Sequence, residues 1–298
     1  MRRDHDTTPW PKGLAELFER LPSIPANEEL ELRVAVHDLQ TYATHDLSDG
    51  HQNIDQAILA ACSGILEKSF RLLSPPLSQK QLNTYRSKPY VRSANALIRT
   101  LLTTVDTPQP NLILDGMQLQ KCSLDHIHLN GSSMRMSDIS NCRFSHAELK
   151  GIDMRFSNGM SSTFSRSDLS ESLMELCELG WCDFSHANLY RSQLMGSDLN
   201  GSIFDQADLR ATILSGANLS TTTLNDADLT NSNLFGVRLH EAKLQGANLT
   251  GTGITPGRLT NVAMHVISDS ETIWGSEDEC SGRNPLDPCY YSQQQDFL

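Results

Sequence analysis

A five-residue beat runs through the second half of the chain. From Leu114 to Met264, every residue whose number ends in 4 or 9 is Leu, Ile, Met or Phe except Gly159, which makes 30 of 31 such positions apolar. Two residues before each stands a small or modest side chain, mostly Ser, Ala, Thr or Cys. A period of five matches neither the strand period of two nor the helical 3.6. Similarity at a fixed period predicts a stack of equivalent units, each burying its apolar residue against its neighbours. A longer period sharpens this. Phe144, Phe164, Phe184 and Phe204 stand twenty residues apart, as do Met134, Met154 and Met174. Twenty is four fives, so the pattern predicts a four-sided coil with one unit per side. Like residues then stack in columns, ring on ring and thioether on thioether. The repeats amount to about seven to eight coils, a stack roughly 37 Å long at cross-strand spacing.

The first 108 residues read differently. Leu14, Leu17, Phe18 and Leu21 share one side of a short amphipathic segment over 11–21, and Pro22 and Pro25 then punctuate the chain. Asn27 is placed to cap a helix running to about Ala43, with Glu28, Glu29 and Glu31 at its positive end. Asn53 and Gln56 fit a capping box, followed by Ile54, Ile58, Ala61, Ile65 and Leu72 at helical spacing until Pro75 and Pro76. A short helix over 78–87 and a last one over about 90–104, carrying Leu97, Ile98, Leu101 and Leu102, complete a small helical domain. Such a bundle is marginal standing alone and is expected to pack on the repeats.

The repeat resembles the pentapeptide-repeat family, whose motif is A(D/N)LXX. It stands as ADL at 207–209 and 227–229, ANL at 187–189, 217–219 and 247–249, and SDL at 167–169 and 197–199. The resemblance covers about Leu112 to Met264. It implies a right-handed quadrilateral β-helix, with the small residue and the central Leu inward, Leu209, Leu229 and Leu249 among them. The Asp or Asn between them then points outward and helps hold the turn. The expected fold class is therefore an α+β two-part chain: an α-helical domain at 1–108, a β-helix solenoid at 109–265, and an acidic capping segment at 266–298. Bulky residues such as Met117 and Ile127 replace small ones in the first units, which suits a junction. At Gly159, either a local shift swings Met160 inward or a core plug is missing. Trp274, Tyr290 and Tyr291 are the expected plugs of the open C-terminal end.

Charge is uneven. The formal net charge is −12, with −1 in residues 1–110, −5 in 111–265 and −6 in 266–298. This disfavours direct nucleic-acid binding, which needs Lys and Arg facing phosphates, and it permits a basic partner. No run approaches a membrane span, and the N-terminus lacks the apolar core of a secretory signal. Seven cysteines at irregular spacing do not form a disulfide framework. Cys62 is expected to be a core thiol, and Cys122, Cys142, Cys177 and Cys182 to serve as small inward residues, although adjacent members of the first column could approach disulfide distance. Cys280 and Cys289 are more exposed to reaction, and a disulfide between them is open if the protein is exported.

Candidate chemistry is sparse. His126, His146, Arg166 and His186 fall in one outward column, where the two adjacent histidines stand close enough to share a metal. Arg166 follows directly and no carboxylate completes the set, so a solvated pair is the preferred reading. Acidic pairs such as Glu175 with Glu178, and Asp205 with Asp208, flank no evident cleft. No catalytic residue, metal or cofactor is expected, and the chain is read as non-enzymatic. The leading reading is a protein–protein interaction or scaffold protein. Its order of helical domain, repeats and tail resembles family members that bacterial secretion systems place in host cells. Two alternatives stay open: a DNA mimic that binds gyrase or topoisomerase, as some family members do, and a housekeeping adaptor. The partner is expected to be a protein, with a monomer slightly favoured. The expected location is the bacterial cytoplasm, or a host cell reached without a signal peptide.

Overall fold

A computed structural model of the protein describes residues 12–44, 52–73, 77–104 and 111–252. The chain divides into two compact units, Met1–Thr107 with Ile113–Asp115, and Pro108–Leu112 with Gly116–Leu298. The expected tail at 266–298, its plugs Trp274, Tyr290 and Tyr291, and Cys280 and Cys289 lie outside the described residues.

The first unit contains α1 (Lys12–Arg20), a 3-10 turn at Leu21–Ser23, α2 (Glu29–Thr44), α3 (Gln52–Arg71), α4 (Gln79–Ser87) and α5 (Pro89–Thr104). Helix α5 packs on α2, α3 and α4. The first turn of α2 carries Glu29 and Glu31, the sign its positive end favours. Asn27 contributes through its backbone carbonyl, which accepts the Glu29 N–H at 3.1 Å. Asn53 does not precede α3 but lies inside it. The capping box belongs instead to α4: the Ser78 side chain accepts the Gln81 N–H, and the Gln81 side chain accepts the Ser78 N–H. Because α3 is packed against both α2 and α5, its buried stripe is wide: Ile58, Leu59, Cys62, Ile65, Leu66 and Phe70. Leu72, read as part of that stripe, lies beyond the last helical residue and is exposed. Phe70 meets Tyr85 edge to face at 5.3 Å. The Ser63 hydroxyl accepts the Ile113 N–H at 2.7 Å and lies 3.0 Å from the Ile113 carbonyl.

The second unit corrects the expected fold class. Among the described residues no β-strand forms, so the quadrilateral β-helix that the resemblance implied, and with it the α+β solenoid, does not describe this chain. The regular secondary structure is helical, and the repeats are turns. Residues twenty apart are joined by isolated parallel bridges, from Gln118 with Asp138 to Asp228 with Asn248. Turn chemistry explains why no ladder grows. One residue in each five takes a left-handed conformation, at Lys121, His126, Asn141, His146 and so on to Gly251. That residue ends the extended stretch before a second pair can form.

The unit at 166–170 shows where the backbone donors go instead. Arg166 and Leu169 donate to the Ser185 and Asn188 carbonyls one circuit ahead, at 3.0 and 2.7 Å, and Asp168 donates to the Ala147 carbonyl one circuit behind at 2.9 Å. Ser167 closes its own turn onto the Phe164 carbonyl at 3.1 Å. The fifth donor, Ser170 N–H, is taken by the Asp168 carboxylate at 3.0 Å. The same Asx cap recurs from Asp183, Asn188, Asp198, Asp208, Asn218, Asp228, Asn233 and Asn248. The motif's Asp or Asn is thus the acceptor for the one N–H that no neighbouring backbone reaches.

Inward columns fill the centre. Phe144, Phe164, Phe184 and Phe204 are fully buried, with successive centroids 5.1, 5.0 and 4.8 Å apart and rings nearly parallel. Met134, Met154, Met174, Leu209, Leu229 and Leu249 are buried as well. At Gly159 neither expected outcome occurs. Met160 stays exposed, and Leu179 and Ile139 close the space, their side chains 2.8 and 3.5 Å from where a Cβ would lie.

The small inward column at 172, 192, 212 and 232 contains a defect. Thr212 donates its hydroxyl to the Leu209 carbonyl at 2.7 Å, whereas the hydroxyls of Ser172, Ser192 and Ser232 are buried without a hydrogen-bond partner. Alanine occupies equivalent positions at Ala187, Ala207, Ala217 and Ala227. Each of Ser172→Ala, Ser192→Ala and Ser232→Ala is expected to raise stability by about 1 kcal/mol, because a stranded hydroxyl is removed at constant shape. Urea midpoints would show it, and a lowered midpoint would mean that the hydroxyl is bonded.

Candidate functional site

Position along the five-residue unit decides what faces solvent. The left-handed residue and the one before it form each corner, and the bridge residue forms the middle of each side. His126, His146, Arg166 and His186 all occupy left-handed corner positions, with φ of 62°, 60°, 58° and 57°. The His126 and His146 rings stack at 5.0 Å and 5°. Below this pair, Asp125 binds the Arg143 guanidinium and accepts the Ser145 N–H at 2.9 Å. Burial alone would raise the Asp125 carboxyl, but these partners outweigh it and hold it below its usual range. Among the described residues, no group of three or more His, Cys, Asp or Glu is placed to hold a metal.

A second outward column carries His128, Glu148, Asp168, Asn188, Asp208 and Asp228, joined in sequence by the bridges. Much of its charge is answered locally. His128 lies 2.9 Å from Glu148, and that hydrogen bond lowers the Glu148 carboxyl. Asn188 donates to Asp168 at 3.0 Å. Arg210 forks onto both oxygens of Asp208 at 2.8 and 2.6 Å while lying over the Tyr190 ring. Burial would raise Asp208, and the Arg210 side chain and N–H turn the balance downward.

The thiols are structural. Cys142, Cys177 and Cys182 donate to the carbonyls of Leu119, Met154 and Gly159 at 2.8, 2.9 and 2.9 Å. Serine hydroxyls do the same at Ser162 and Ser202. The five described cysteines, Cys62, Cys122, Cys142, Cys177 and Cys182, are all buried thiols. Burial pushes Cys177 up to about 11, and Cys62 and Cys182 up to about 12, which keeps them protonated and unreactive. In the helical unit, Phe18, Leu21, Leu32, Ala61 and Ile65 line an apolar groove of about 430 Å³. Lys68 at its side donates to the Leu21 and Pro22 carbonyls at 3.1 and 2.9 Å.

Sequence reasoning missed a set of exposed apolar side chains: Phe156, Met160, Leu176, Trp181, Met195 and Ile203. A signal for them exists. The corner position otherwise takes mostly Gly, polar or charged residues, and its other large apolar residue, Met136, is buried, so the exposed Phe156, Leu176 and Trp181 stand out once that position is read as a column. No described helix is long and apolar enough to cross a membrane. What the repeats offer outward is a polar surface interrupted by these apolar side chains.

A comparison with curated proteins gives no match. Among solved structures, the chain is similar to HetL, a pentapeptide repeat protein involved in heterocyst differentiation regulation from Nostoc sp. strain PCC 7120, at 22% identity and a TM-score of 0.26, over 56% of this chain and 87% of that one. It is similar to trypsin-treated QnrB1, a plasmid-mediated fluoroquinolone resistance protein, at 21% identity and a TM-score of 0.31, over 53% and 90%. It is also similar to a pentapeptide repeat protein of the Arabidopsis thaliana thylakoid lumen, at 22% identity and a TM-score of 0.23, over 37% and 82%. A family model described as pentapeptide repeats matches eight copies, at residues 137–175, 177–216 and 212–251, so these stretches of the second unit carry that repeat.

Proposed function

We propose that the protein is a scaffold whose repeat unit presents its outward columns to a protein partner. One observation carries this reading: the inward positions are filled by packing, while the outward ones bear mixed polar, charged and apolar side chains on a closely spaced lattice. Direct nucleic-acid binding is disfavoured by the net charge of −12. Against a duplex mimic stand the break at Asn188 in the acidic column, the hydrogen bond of His128 to Glu148 and the pairing of Asp208 with Arg210. The finer form of the reading is an effector exported into a host cell without a classical signal peptide. It is supported only by the order of helical unit, repeats and acidic C-terminal segment, and translocation of a reporter fused to the intact chain tests it.

The scaffold reading is tested by cross-linking the intact protein to its partners and mapping the adducts. Adducts at outward repeat positions are expected. Adducts confined to the helical unit would overturn the reading, and inhibition of purified gyrase supercoiling by the intact protein would favour the mimic.

A further inference from the structure

All six exposed large apolar residues described in the repeat unit fall between Phe156 and Ile203. Phe156 and Leu176 occupy one corner column, one circuit apart, and Met195 sits one circuit beyond Glu175 on the same edge. Met160 and Trp181 occupy the next corner. Between these two edges runs the side formed by Asn158, Glu178 and Asp198, which are bridged in succession. Scattered apolar residues on a surface need no explanation, but a cluster with a polar centre does.

The backbone makes the cluster harder to dismiss. Phe156, Leu176 and Trp181 adopt φ of 61°, 55° and 63°, a region that disfavours bulky side chains. Glycine takes the same columns further along, at Gly196 and Gly201. These residues therefore accept both backbone strain and exposure. The side chains are also held in place. Leu176 lies over Gly196, where a Cβ would meet its Cδ2 at 2.9 Å, and the Trp181 ring lies on Gly201, where a Cβ would meet it at 2.6 Å. Anchors seated before a partner arrives lose little freedom on binding.

Charge gives the partner's character. Along this face stand Glu175, Glu178 and Asp198, and the basic residue on the same edge, Arg155, is forked onto Asp153 at 2.9 and 2.7 Å. Glu178 and Asp198, in the middle of the side, are exposed and make no ion pair among the described residues. Asp198 accepts hydrogen bonds from the Asn200 N–H and the Asn218 amide, which add no positive charge. Beside Leu176, the Glu175 Oε2 is buried without a partner.

We propose that this face docks a basic amphipathic helix of a partner protein, its Lys or Arg residues meeting Glu178 and Asp198 and its apolar residues meeting Trp181 and Leu176. This identifies the partner chemistry for the scaffold reading and rests on it. Aromatic anchors in such a face carry most of the affinity, and the carboxylates set orientation and salt dependence.

The test uses the full chain with Trp10→Phe and Trp274→Phe, leaving Trp181 as its only indole. A synthetic Leu/Lys amphipathic helix is expected to bind saturably and shift the Trp181 emission to the blue, and a Leu/Glu helix of equal hydrophobicity is not. Glu178→Gln with Asp198→Asn should weaken binding roughly tenfold and flatten its salt dependence. Leu176→Asn with Trp181→Asn, followed by calorimetry, should weaken it more than tenfold without lowering Tm, because Asn suits the left-handed position. Equal binding of the Leu/Glu helix, unchanged affinity in the carboxylate variant, or a lowered Tm with unchanged binding would each overturn the proposal. So would concentration-dependent self-association that the Leu176→Asn, Trp181→Asn variant abolishes, since the face would then join two copies. If native partners cross-link to other outward columns while the Leu/Lys helix fails, this face falls and the scaffold reading stands.

Discussion

Phe164→Ala is expected to destabilise the repeat unit by about 3–5 kcal/mol, near the upper end for a buried aromatic. The ring is fully buried between Phe144 and Phe184, at 5.1 and 5.0 Å. Its removal strips a stacking partner from both neighbours at once. Nor can the circuits slide together to fill the gap. The Phe144 N–H is fixed to the Thr163 carbonyl at 2.7 Å, and the Phe164 N–H to the Asp183 carbonyl at 2.6 Å. Those bonds set the spacing regardless of what fills it, so the cavity persists. Phe204→Ala, with a Phe neighbour on one side only and Leu224 on the other, should cost less. Chemical denaturation followed by circular dichroism measures both. A loss below about 1 kcal/mol for Phe164→Ala would mean that the column collapses and that the backbone spacing is soft.

The second large effect is one of register. Deletion of residues 166–185 removes one circuit and returns every later residue to its own column. A cooperative unfolding transition should survive, since each circuit contacts only its neighbours. Deletion of Ser170 alone removes a fifth of one side. Beyond it, each Leu meant for the centre meets a column position built for a different residue, and each Asx cap faces the wrong donor. The segment from 171 to 252 is then expected to lose its cooperative transition and gain protease sensitivity. Equal stability of the two deletions would sink the twenty-residue circuit as the structural unit.

Spacing in the sequence carries some of this and not the rest. A side chain every five residues specifies which positions turn inward, and recurrence at twenty specifies which of them meet. Neither says how many residues stay extended on each side. That depends on non-glycine residues such as Lys121, Phe156 and Trp181 adopting positive φ, which nothing in their chemistry announces. The expected strands were lost there: one left-handed residue in five leaves room for a single bridge. Gly159 failed to be legible for a different reason. Its filling comes from Leu179 and Ile139, twenty residues away on either side, and a missing side chain does not say which neighbour will expand. In the helical unit, Leu72 matched the helical period but lay past the last helical residue. Among candidate sites, the stacked His126 and His146 followed from the twenty-residue period. The apolar corner residues did not, because a reading that seeks inward Leu and Phe treats every other position as background.

The Asx cap has a consequence for substitution. Where Asp or Asn stands at the bridge position, the donors of the unit are satisfied by carbonyls and by that cap, and the left-handed residue is relieved of this bonding. It can be Lys, His, Glu, Trp or Gly, as it is at 121, 126, 171, 181 and 201, while the centre stays unchanged. Substitutions at corners more than about 7–10 Å apart should combine additively. Substitutions at the left-handed position are therefore expected to change the outward surface one residue at a time with little effect on the packed centre.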